Sequence, residues 1–176
     1  MGPVLYLSYT LIASIFYNVA MTYQEAVDKI KARLRVPVEL VEEEDYALAI
    51  EQALTKLTQR TGGYFYRTTD PPPNMVVVRN PILDEISYLM YDLGGTWAGY
   101  VPWNLENIEK QAGIVAYFLE LATEYVHLAV AGRYAVADGF NEFPFSLDFR
   151  VIYDNANQRI NEIDQDLRAN YLIPII

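Results

Sequence analysis

A mainly α protein is what this sequence predicts: a helical bundle with long C-terminal helices and a minor β-hairpin or extended arm. Apolar residues recur at three- and four-residue spacing through most of the chain after Met21. Cap signals bracket those stretches, and runs of β-prone residues are few and short. A length of 176 residues with 52% hydrophobic residues fits one domain with a real core. The expected division is an apolar N-terminal extension over 1–20 and a single helical domain over 21–176.

The extension comes first. "MGPVLYLSYTLIASIFYNVA" has no charged side chain, and the first charge is Glu25. Its length approaches the roughly 20 residues that cross a bilayer. It has neither the basic start of a signal peptide nor a Lys/Arg flank that would orient a span. Three readings stay open. Residues 3–20 form a membrane anchor, or the segment is buried in the fold or between subunits, or it precedes a natural start at Met21.

Thr22-Tyr23-Gln24-Glu25 is a capping box. Val27, Ile30 and Leu34 then repeat at helical spacing, and Pro37 stops the helix. A second helix is expected from about Glu43 to Arg60, with Tyr46, Ile50, Ala53 and Leu57 on one stripe. Gly62-Gly63 ends it as a left-handed cap. The acidic run Glu42 to Asp45 falls on the cap and first turn, where each carboxylate contributes roughly 0.3–1 kcal/mol against the helix dipole. Consecutive helical residues point about 100° apart, so they do not converge on one ion. The run therefore reads as capping and solvation, with no metal.

Tyr64–Thr68 and Met75–Arg79 are β-prone, and "TDPPPN" between them makes a stiff turn, which suggests a hairpin or extended arm. Asn80-Pro81 reads as the cap and first position of a third helix, with Ile82, Ile86, Leu89 and Leu93 inward and Gly94-Gly95 closing it. "GGTWAGYVPWN" reads as a loop. Its Trp97, Tyr100 and Trp103 serve as packing anchors, a protein interface or a ligand platform. A long helix follows from about Asn104 to Ala137, reaching roughly 50 Å at its full length, with Gly132 as a point of breakage or kinking. The last helix starts near Ser146 and carries Phe149, Ile152, Ala156, Ile160, Ile163 and Leu167 at near-heptad spacing. The tail "YLIPII" is too apolar to be left in water, and Pro174 keeps it from being helical. Tyr171, Leu172, Ile173, Ile175 and Ile176 are thus candidate interface residues, joined by Trp97, Tyr100 and Trp103.

Catalytic signatures are missing from the sequence. With no cysteine, thiol catalysis and thiolate metal sites are excluded. His127 is the one histidine, so a His-based metal cluster is excluded too. Glu124-Tyr125-Val126-His127 matches Glu-x-x-His once, whereas a di-iron bundle site needs it twice. There is no GxSxG elbow, GxGxxG cradle or Walker lysine. No catalytic residue, metal, cofactor or small-molecule substrate is expected, and the chain reads as a non-enzyme. A net charge of −10, with Lys and Arg read as scattered, argues against a grip on nucleic-acid phosphates. Fifteen tyrosines point instead to surfaces that are apolar on one side and wet on the other.

The stretch "TYQEAVDKIKARLRVPVELVEEEDYALAIEQALTKLTQRTG" resembles the N-terminal helical pair of short head–tail connector (adaptor) proteins of tailed bacteriophages. That family opens with a capped helix carrying an E-x-V-K-x-x-L-R type pattern, here Glu25 to Arg35. An acidic link and an Ala-rich helix ending in a Thr-Gly turn follow, here Glu42 to Gly62. The match covers about forty residues. Residues 1–20 have no counterpart in it, and the helices after Asn104 look longer than the family's C-terminal pair.

The resemblance implies a structural virion protein: a homo-oligomeric ring, commonly of twelve, at the head–tail junction. Its partners would be copies of itself, the portal protein and tail or neck proteins, with DNA only as passing cargo. It would be assembled in the host cytoplasm and reside in the virion neck. The competing classes are a small membrane-anchored helical protein and a ligand-binding bundle that uses the Trp97–Trp103 loop.

Overall fold

A computed structural model describes residues 20–68, 89–92, 97–111, 113–135 and 148–171. The fold is mainly α with a small antiparallel sheet. In chain order it comprises α1 (Tyr23–Lys31), α2 (Glu43–Thr61), β1 (Tyr64–Thr68), β2 (Leu89–Asp92), β3 (Trp97–Val101), α3 (Ile114–Ala135) and α4 (Phe149–Asn170), with 3₁₀ turns at Val38–Leu40 and Ile108–Lys110.

α3 is the central helix. It packs against α4 and α2, and α1 touches it as well. Apolar residues therefore occur almost all round it, among them Phe118, Leu121, Val126 and Val130, all fully buried. By length and composition α3 alone among the described helices is able to cross a membrane. Much of that apolar surface is covered by the chain itself. The other helices are two-faced and bury one stripe each. In α2 this is Tyr46, Ile50, Ala53 and Leu57, and in α4 it is Phe149, Ala156, Ile160, Ile163 and Leu167, with Ile152 half-buried.

The caps explain where these helices begin and end. The Thr22 hydroxyl accepts the Glu25 N–H at 3.1 Å, and Glu25 Oε2 accepts the Thr22 N–H at 2.8 Å. α1 ends at Lys31, before Pro37, because the next amides turn back in 3₁₀ fashion onto Ile30 and Lys31. Gly62 closes α2 at φ +80°, a conformation costly for any residue with a Cβ. Asp148 caps α4 through Oδ1, which accepts the Arg150 and Val151 N–H groups.

Three expectations need correction. The helix expected over 80–93 gives way at Leu89–Asp92 to β2, which pairs antiparallel with β3. The i, i+4 spacing of Leu89 and Leu93 mimics a helix, but the backbone groups find a ladder instead. Second, the segment read as a loop holds β3, the central strand of a sheet ordered β1-β3-β2. β1 pairs with it from Tyr64↔Val101 to Thr68↔Trp97. The expected hairpin arm Met75–Arg79 lies outside the described residues.

Third, α3 begins at Ile114 and not near Asn104. Asn104 Oδ1 accepts the Glu106 and Asn107 amides, Asn107 Oδ1 accepts the Asn104 amide, and Gly113 takes φ +88°. These side-chain bonds offer the backbone an alternative to the helix. α3 runs through Gly132, which faces the Tyr153 ring on α4 at 3.7 Å from where a Cβ would sit. The extension over 1–19 lies outside the described residues. Met21 is buried, and its N–H donates to the Leu105 carbonyl.

Candidate functional site

The expected interface residues fall in different settings. Trp103 is 3% exposed: its Nε1–H donates to Thr61 Oγ1 at 2.8 Å and its ring meets Tyr64 at 5.6 Å. It locks the end of α2 from inside, the packing-anchor setting among those expected for it. Tyr100 is 43% exposed beside its cross-strand partner Phe65, with ring centroids 5.2 Å apart. Trp97 opens β3 opposite Thr68 and Asp92. Tyr171 is half-buried, its ring edge-on to Tyr117 of α3. Leu172, Ile173, Ile175 and Ile176 lie outside the described residues.

The acidic run divides. Glu42, Glu43 and Glu44 are exposed at the cap and first turn of α2. Asp45 is not solvated, contrary to expectation, and is only 7% exposed. Its Oδ2 accepts the Glu42 N–H at 2.9 Å, and its Oδ1 takes the Arg133 guanidinium at 2.6 Å from the end of α3. Arg133 also donates to the Leu40 carbonyl at 3.3 Å. The hydrogen bond to Asp45 raises the Arg133 pKa further, against the opposing effect of burial. No group of His, Asp and Glu side chains among the described residues is arranged to hold a metal ion.

His127, fully buried on α3, joins α1's exit to the core. Its Nε2 accepts the Arg35 backbone N–H at 2.9 Å, so Nδ1 carries the proton and donates to Glu124 Oε2 at 3.0 Å. Arg35 grips the same Oε2 at 2.5 Å. The 3.3 Å approach of Arg35 Nη2 to Nδ1 thus sets two donors side by side and is not a bond. Glu124 opens onto a cleft of about 520 Å³ between α3, α4 and the segment after α1, lined by Arg33, Arg35, Glu120, Arg159 and Glu162 among others. Arg159 bonds Glu162 at 3.0 Å and Glu120 at 2.7 Å. The three carboxylates of the cleft, Glu120, Glu124 and Glu162, are each paired with a guanidinium group.

A second cluster joins α2 to α4. Asp164 receives Lys56 at 3.3 Å, Arg60 Nε at 2.5 Å and Arg168 Nε at 2.8 Å. Burial pushes its pKa up, but the Arg60 and Lys56 hydrogen bonds and charges prevail and hold it below the usual carboxylate range. The half-buried Tyr125 hydroxyl next to it is raised, first by burial and then by the Asp164 charge. A depressed folded-state pKa contributes stability above the unfolded value and loses it as pH falls through the folded one. Asp164→Asn should therefore cost about 1–2 kcal/mol at neutral pH and converge on the parent as the solution is acidified. Urea unfolding at stepped pH values checks this, and an equal loss at every pH would count against it.

Two clusters of charge are less evident from the sequence. Lys29, Lys31, Arg33 and Arg35 place four cations within seven residues, so the basic residues are not simply scattered. Their alternation was the signal. In the Asp164 cluster the i, i+4 spacing to Arg168 is local, but Arg60 lies 104 residues from Asp164, which no local pattern shows. No family model, curated protein or solved structure matches the chain.

Proposed function

We propose that this chain is a structural subunit that assembles with its own copies into a ring at the head–tail junction of a tailed phage, between portal and tail. The observation that carries the reading is the capped helix pair over residues 22–62, whose residues bear the family resemblance. α1 starts in a Thr22/Glu25 capping box, and α2 starts in an acidic turn and ends at left-handed Gly62. The ion pairs described above are compatible with it, since they tie the helices into one body.

On this reading the ring is of about twelve copies, by resemblance to the family, and DNA is only cargo. A net charge of −10 suits such a passage, since an acidic lumen repels phosphates. The apolar tail after Tyr171 docks on a neighbouring copy or on a partner ring. It carries Leu172, Ile173, Ile175 and Ile176, each contributing roughly 1.5–3 kcal/mol if fully buried, before ordering costs.

Native mass measurement and particle imaging of the purified chain, alone and with a portal ring, test the reading. The expected result is a closed ring, alone or on the portal. A chain that stays monomeric in both settings, or that needs detergent to leave membranes, would overturn it. Deleting residues 172–176 should abolish assembly while leaving the monomer's melting temperature nearly unchanged. If the truncated monomer unfolds, the tail belongs to its own core.

A further inference from the structure

The two ends of α2 carry side-chain clusters of opposite sign. Glu42, Glu43 and Glu44 lie exposed at the start of α2. Arg133 lies 3.5 Å from Glu42, and the Tyr23 hydroxyl donates to Glu43. At the other end of α2, Lys56 and Arg60 converge with Arg168 on the single carboxylate of Asp164. Glu44 and Arg60 stand sixteen positions apart on the helix, roughly 24 Å at about 1.5 Å per residue.

Three cations on one carboxylate leave a local surplus of positive charge in a chain whose net charge is −10. Arg60 and Arg168 each spend Nε on Asp164. Their terminal nitrogens, which form the planar fork that suits a carboxylate, meet no other carboxylate among the described residues. Arg168 is 61% exposed and thus open to a partner.

Two copies with this net charge repel on average. Contact becomes favourable where it sets the cation trio of one against the glutamate trio of another. The two patches differ and sit at opposite ends of α2, so a twofold contact does not engage them reciprocally. Such a contact is heterologous, and it repeats head to tail until it closes into a ring.

We propose that copies of this chain associate head to tail, with the Lys56, Arg60 and Arg168 cluster of one receiving Glu42, Glu43 and Glu44 of the next. The inference rests on the reading of the chain as a self-assembling subunit and names the surfaces that meet. Steering by these charges makes the association sensitive to salt.

Sedimentation velocity on the full chain, at low and moderate salt, tests it. The paired reversal Glu43→Lys with Glu44→Lys alters exposed residues only and should weaken self-association at least about tenfold. Lys56→Glu with Arg168→Glu should do the same. Mixing the two variants should restore association, because the acidic patch of one then finds a complementary patch on the other. Melting curves check that each variant folds; if the Lys56→Glu, Arg168→Glu chain does not, Arg168→Glu alone takes its place in the mixture. Rings that form on the portal and ignore every reversal would overturn the head-to-tail contact and leave the ring reading standing. A parent chain that never associates, alone or with the portal, would overturn both.

Discussion

Replacing Gly63 with alanine is expected to destabilise the protein by at least about 3 kcal/mol, whereas the same change at Gly62 should cost about 1 kcal/mol. Both glycines have positive φ, +80° and +95°, so both variants carry the backbone penalty of a left-handed residue. They differ in the space around them. A Cβ on Gly62 meets nothing within 4 Å, but one on Gly63 overlaps the Val101 carbonyl oxygen, a backbone atom that no rotamer change can move. Val101 pairs with Tyr64 at the first rung of the sheet, two residues before Trp103 anchors to Thr61. Alanine at 63 therefore has to push the sheet away from the helical body. Denaturant unfolding of the two variants side by side checks this, and equal losses would show that close approach to β3 is not what Gly63 provides.

The second large effect is expected from Arg133→Ala, at about 2–3 kcal/mol. Removing the guanidinium leaves Asp45 buried with only the Glu42 amide for company, and it also strips the Leu40 carbonyl of its donor. The stranded charge dominates. Arg133 is itself about one-third exposed, which keeps the figure below that of a fully buried pair. The Asp45→Ala, Arg133→Ala double variant should then lose less than the two single losses summed, since neither partner remains to be stranded. Strict additivity in a double-mutant cycle would refute the coupling.

What could be read in the sequence was what neighbouring residues decide. The stripes of α2 and α4, the Thr22 box and the Gly62 stop each depend on residues within a few positions of one another, and all stand in the structure. The sheet depended on distant partners. Leu89–Asp92 carries no strand alternation, and β3 contains Ala98 and Gly99, poor strand formers on their own. The burial of Asp45 was equally hidden, since its partner lies 88 residues further on. At Asn104, two asparagines and Gly113 outweighed an apolar pattern that continues smoothly into α3.

The links between α1–α2 and α3 have a consequence for how the chain matures. Arg35 reaches His127 across 92 positions, Leu40 reaches Arg133 across 93, and Asp45 reaches the same arginine across 88. A nascent chain released only to Thr61 has its helix pair formed in outline but lacks every one of these partners. Closing so long a loop costs entropy before any contact repays it. Until α3 leaves the ribosome, the buried stripe of α2 is exposed to solvent and to other nascent chains. That order of synthesis makes the N-terminal pair, which looks like a separable module, dependent on a helix made long after it.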